Sequence, residues 1–225
     1  DPRARKMTFD DELMGQLIRF VSSHEVGHTL GLRHNMCASS STPVEKLRDK
    51  KWVEAHGHTI SIMDYARFNY VAQPEDGISE KGLFPRINDY DLWAIKWGYQ
   101  CHPEFKDAVT EKKALRAEVS KTLKANPCLQ FCGDEGKGMD PRSQSEDLGD
   151  DNMKASDYGV KNLKRVMANI LAWTAQPDDQ YEDLNTMHKA VRAQFTRYTN
   201  HVQKNISGRY VNTGPGLTPY DYVPR

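Results

Sequence analysis

The stretch "HEVGHTLGLRH", residues 24–34, decides how the rest of the chain is read. It sets His24, His28 and His34 around Glu25 and Gly31. Residues four apart on a helix stand one turn apart on the same face, so His24 and His28 can reach a single metal ion. Upstream, Leu13, Leu17, Phe20 and Val21 recur at helical spacing and the two histidines continue their stripe, which predicts a helix from Asp10 to Leu30 opened by Thr8 and Asp11 as a capping box. Gly31 offers the left-handed conformation that ends a helix, so the chain can turn sharply before His34.

A hydrolytic zinc site needs three protein ligands and one open position for water. His24, His28 and His34 supply the three, and Glu25 stands beside the first as the general base that takes a proton from water and hands it to a departing amine. Downstream, "SIMDY" offers a tight turn with Met63 to lie beneath the metal and Tyr65 two residues later. Against this stands a bland alternative, a histidine-rich buried helix with no metal. Five fixed positions followed by a methionine turn argue for zinc.

These residues resemble the metzincin superfamily of zinc endopeptidases. "HEVGHTLGLRHN", "SIMDYARFNYVAQPEDG", "YDLWAIKWGY" and "SEDLGDD" together are similar to a bacterial Met-zincin domain of poorly defined substrate, found in larger exported proteins. The resemblance implies His24, His28 and His34 as zinc ligands, Glu25 as catalytic base, Gly31 as the turn and Met63 as the Met-turn residue. In some metzincins a tyrosine placed like Tyr65 ligates zinc at rest and swings to stabilise the oxyanion. The resemblance also implies a periplasmic or cell-surface location. Metzincins place a mixed sheet before the active-site helix, and its edge strand binds substrate by strand addition. Only 23 residues precede His24, so the expectation is that this sheet lies outside the chain. An upstream part of the parent polypeptide or a second chain would then complete the cleft.

The fold class expected is mainly α: the C-terminal part of a metzincin-like zincin, with a zinc-binding catalytic subdomain over residues 1–100 and a helical extension over 101–225. "STPVEKLRDKKWVEAHG" reads as a short helix capped by Thr42, with Pro43 first and Gly57 as stop. "INDYDLWAIKWGY" reads as a helix capped by Asp89 and closed by Gly98, and Trp93 and Trp97 read as core. A charged helix ends at Pro127. Two long helices follow near 152–175 and 178–204, the second capped by Asp178, and should pack antiparallel as scaffold or partner surface.

Lys plus Arg balances Asp plus Glu at 31 each, so nothing marks a nucleic-acid binder. The mean hydropathy of −0.76 is polar for a compact domain, and no apolar run is long enough to span a membrane. Of the four cysteines, Cys128 and Cys132 in "CLQFC" read as a local disulfide or as two inert thiols. Asp134, Glu135, Asp140, Asp147, Asp150 and Asp151 are hard oxygen ligands of the kind calcium takes, but they lack EF-hand spacing and read better as a solvated or helix-capping loop. His56 and His58 read as bystanders to a site already complete. Asn35 and Asp64 read as the oxygens that orient the ligating imidazoles.

Overall fold

The structure, a computed structural model, describes residues 1–133, 138–177, 180–212 and 218–224. It is mainly helical. In chain order the α-helices are α1 (Asp11–Thr29), α2 (Lys50–His56), α3 (Glu80–Leu83), α4 (Asp89–Tyr99), α5 (Ala108–Ala125), α6 (Asn152–Thr174) and α7 (Glu182–Gln203). Among the described residues the sheet content is one antiparallel pair, β1 (Arg209–Val211) and β2 (Tyr220–Tyr222), with Tyr210 opposite Asp221. No described helix is long and apolar enough to cross a membrane.

The predicted helix of the opening motif is α1, though its cap differs. Asp10 caps it by accepting from the Leu13 N–H at 2.9 Å, in place of the box predicted for Thr8 and Asp11. The helix predicted from Thr42 splits into a 3-10 turn, Val44–Arg48, and α2, because Asp49 accepts from the Trp52 N–H and starts a new helix. α4 begins after Asn88, one residue before the expected cap. Asp178 lies outside the described residues.

α6 and α7 pack antiparallel. Asn152 and Ser156 at the start of α6 meet Asn205 and Tyr198 at the end of α7. Gly159 makes the approach close, since a Cβ there would overlap the Tyr198 ring. The central hydrophobic cluster joins distant parts of the chain: Val44, Leu47, Ala66 and Val71 pack with Leu148 and Ala155, under Tyr70 and Tyr158.

Cys132 pairs with Cys37 across 95 residues, and Cys128 is exposed and free, as is Cys101. Neither alternative for "CLQFC", a local disulfide or two inert thiols, describes the structure, since Cys132 is bonded to Cys37 and Cys128 alone is free. Backbone geometry explains the choice: Met36 donates to the Gly133 carbonyl and Cys132 N–H donates to Asn35 Oδ1 at 3.0 Å, which lays the two segments side by side.

The core assignment of α4 also fails. Trp93 is half-buried against Tyr90, but Leu92 is 64% exposed and Trp97 is 45% exposed, lining an open groove with Ala108, Leu115 and Val119 of α5.

Candidate metal centre

The end of α1 builds the site. Leu30 closes the helix, Gly31 takes φ +85°, the Gly31 N–H bonds the His28 carbonyl at 2.9 Å and the Leu32 N–H bonds the Gly27 carbonyl at 3.0 Å. This double closure is the Schellman arrangement, and it needs a residue free to be left-handed at Gly31. The reversal returns His34 to the face that carries His24 and His28.

The three imidazoles converge. His34 Nε2 lies 3.2 Å from His24 Nε2 and 3.0 Å from His28 Nε2, and the three ligand atoms lie within 4.8 Å of one another. In a tetrahedral site with Zn–N near 2.0–2.1 Å, ligand nitrogens sit roughly 3.3 Å apart. The spacing therefore fits zinc. Proton bookkeeping gives the stronger argument. His24 Nδ1 stands 2.7 Å from the Ile62 carbonyl and His28 Nδ1 2.9 Å from the Leu32 carbonyl, so each Nδ1 carries the proton and donates it. Their Nε2 atoms then face each other and His34 with lone pairs, a repulsive arrangement that a cation relieves. Leu32 serves twice, its N–H capping the helix and its carbonyl orienting His28.

These carbonyls displace the two residues expected to orient the ligands. Asn35 bonds Gln130 and Cys132 instead, and Asp64 accepts from the Ser39 N–H at 2.6 Å. Side chains were the natural expectation because a sequence displays them, whereas backbone carbonyls become visible only in the fold.

Met63 is fully buried beneath the histidines' helix, against Gly27, where a Cβ would overlap its sulfur. Its turn is pinned from α4. The Asp91 carboxylate accepts from Ser61 Oγ at 2.7 Å, from Ile62 N–H at 2.8 Å and from Asn88 N–H at 2.9 Å. Asp91 is 3% exposed and burial raises its pKa, against the pull of those donors. Sequence reading missed this residue, although Asn88 and Asp91 at capping-box spacing were a signal for it.

Glu25, next to His24, is exposed on α1, and His28 and His34 are half-buried, so the site is open on one side. The Tyr65 ring lies 4.4 Å from that of His34 and 5.3 Å from that of His24, and the Arg67 guanidinium lies over it, 5.0 Å from its centroid. The Glu146 N–H bonds the Tyr65 carbonyl, and its carboxylate pairs with Arg67 at 3.3 Å and with Arg197. Neither His56 nor His58 joins the cluster: His56 stacks on Trp52, and His58 is buried with Nε2 3.2 Å from the Arg67 carbonyl.

Asp140, Asp150 and Asp151 of the acidic loop take the capping and pairing roles favoured for it over calcium binding. Asp140 pairs with Arg142, Asp150 accepts from the Val44 N–H and Asp151 caps α6, while Asp134 and Glu135 lie outside the described residues. Among the described residues, His24, His28 and His34 are the one group of three or more His, Cys, Asp or Glu arranged to hold a metal.

No curated protein and no solved structure matches the chain. A family model described as Met-zincin matches residues 6–225, nearly the whole sequence. The residues that build the converging imidazoles and the buried methionine turn all fall within that match, and the chain belongs to the Met-zincin family.

Proposed function

We propose that the chain carries the catalytic centre of a zinc metalloendopeptidase. One observation carries the reading: the protons of His24 and His28 are committed to backbone carbonyls, leaving converging lone pairs beside an exposed Glu25. His24, His28 and His34 would hold the zinc, which when bound makes water nucleophilic near neutral pH and polarises the peptide carbonyl. Glu25 takes the proton of the attacking water and delivers it to the departing amine. The Tyr65 phenol, packed against the histidine rings, donates to the oxyanion.

The remaining wall of the cleft belongs, on this reading, to an upstream part of the parent polypeptide. Met14, Ile18 and Val21 form an exposed apolar row on α1 at helical spacing, and the same spacing leads on to Glu25. Such a row fits a covering element that would also line the substrate groove. The Cys37–Cys132 disulfide supports an oxidising compartment, periplasmic or at the cell surface.

The test is cleavage of a mixed peptide library, read by mass spectrometry, by the zinc-loaded chain and by Glu25→Gln, repeated with the upstream polypeptide included. Cleavage lost in the variant supports the endopeptidase; cleavage appearing only with the longer polypeptide supports the missing wall. No cleavage by either form, with zinc bound, favours a zinc-stabilised module that binds a protein partner. Hydrolysis of small amides alone favours an amidase.

A further inference from the structure

Behind the Met-turn, two acidic residues are buried together. The Glu146 N–H bonds the Tyr65 carbonyl, and Asp147, the next residue, lies near enough to Asp64 to feel its charge. Both are 1% exposed. Asp64 Oδ2 accepts from the Ser39 N–H at 2.6 Å and Asp147 Oδ2 from Asn152 Nδ2 at 3.3 Å. The other oxygen of each carboxylate, Oδ1, has no hydrogen-bond partner, and neither does Ser39 Oγ, whose residue is fully buried. The Ser39 and Thr59 side chains both lie close enough to the Asp64 carboxylate to favour its charged form, which places Ser39 Oγ in this cluster.

Such a group is out of charge balance. Burial pushes the Asp64 carboxyl up to about 7 and raises that of Asp147 well above its ordinary value, with the neighbouring Asp64 charge adding to the effect. Neither carboxylate has an ion-pair partner among the described residues. Lys204, the cation acting on Asp147, donates its Nζ to the Ser143 carbonyl. Buried polar atoms are almost always satisfied, and buried charges are paired or bind metals. Three orphaned oxygens from three separate segments, two of them formally charged, answer to a divalent cation. The donor type is hard, which disfavours zinc, and a dehydrated protein-lined site suits calcium better than magnesium.

We propose that Ser39 Oγ, Asp64 Oδ1 and Asp147 Oδ1 bind a hard divalent cation of the calcium class, a second metal site that ties the C-terminal helices to the Met-turn. It shares no ligand with the histidine centre, and of the acidic loop it uses Asp147 alone. The inference does not depend on peptidase activity.

Metal content of the full chain, measured by inductively coupled plasma mass spectrometry after dialysis against calcium and zinc, tests it together with thermal melts at fixed zinc. The expected result is one calcium per chain beside one zinc, and a melting temperature that rises by several degrees with calcium. Asp147→Asn should lose both while keeping its zinc. If that variant does not fold, Ser39→Ala should weaken the calcium response several-fold and leave zinc unchanged. A wild-type chain that holds no calcium and ignores it in the melt overturns the proposal, and the two carboxyls then share a proton. Calcium retained at full stoichiometry and unchanged affinity in both variants overturns it as well.

Discussion

The backbone N–H of Glu146 donates to the carbonyl oxygen of Tyr65 across 2.9 Å, while the Glu146 carboxylate grips Arg67, whose guanidinium lies over the Tyr65 ring. The C-terminal helices therefore hold the loop that faces the histidines, through Arg197 on α7 as the second grip on Glu146. If Tyr65 is the oxyanion donor of the proposed peptidase, Glu146→Gln should lower kcat on a cleavable peptide by about tenfold, with KM and zinc content unchanged, because a misplaced donor costs rate without costing binding. Unchanged kcat would show that Tyr65 is held by other means.

Gly27 is the contact point between α1 and the Met-turn. A Cβ there would overlap the Met63 sulfur, so Gly27→Ala should cost about 1–3 kcal/mol by overpacking and should weaken zinc binding as the turn is pushed away. Met63→Ala makes room for the added methyl, so the double variant should lose less than the sum of the two single losses. Strict additivity in chemical denaturation would contradict the contact.

Zinc should stabilise the fold, since it binds the folded arrangement of His24, His28 and His34. At free zinc about 1,000 times its Kd the gain is about 4 kcal/mol. Chelation should lower the melting temperature and added zinc restore it. Glu25→Gln should show the same zinc-dependent shift, because Glu25 is not a ligand; a variant without the shift would move Glu25 into the coordination sphere.

His58 gives the chain an acid-side weakness. Burial holds its pKa down to about 4, from 6.5, outweighing the hydrogen bond from its ring to the Arg67 carbonyl that favours the charged form. Between those values the unfolded chain binds a proton that the folded chain refuses, so stability present above pH 6.5 is lost as pH falls toward 4. The difference of 2.5 pH units corresponds to about 3 kcal/mol. Urea melts of wild type and His58→Gln from pH 8 to 4.5 should converge as pH falls. Parallel curves would exclude His58 as the cause.

The parts of the fold legible in sequence were those written in local chemistry. α1, its glycine stop and the three converging histidines follow from spacing within eleven residues, and the buried Met63 turn from a five-residue signature. What escaped was set by partners distant in the chain. Asp91 became a brace for Ser61 and Ile62 only once α4 docked beside the Met-turn. Cys132 found Cys37 in place of its near neighbour because the segments at 35–36 and 132–133 pair through backbone bonds. Trp97 carries a core residue's composition but lies at an open groove beside α5, 45% exposed. Hydrophobic spacing locates a stripe on a helix and is silent about which of two apolar faces meets the rest of the chain, as Val21 on α1 illustrates.

The Cys37–Cys132 bond also bears on a hazard that the proposed peptidase would pose to itself. The non-helical, mostly exposed segment 100–107, between α4 and α5, lies between the two cysteines in sequence and is the accessible stretch for a protease. A cut there would leave His24, His28 and His34 covalently joined to the piece bearing Glu146, α6 and α7. The molecule would be nicked yet remain one unit: two bands on a reducing gel, one on a non-reducing gel, with the histidine centre still tethered to the helices that brace it.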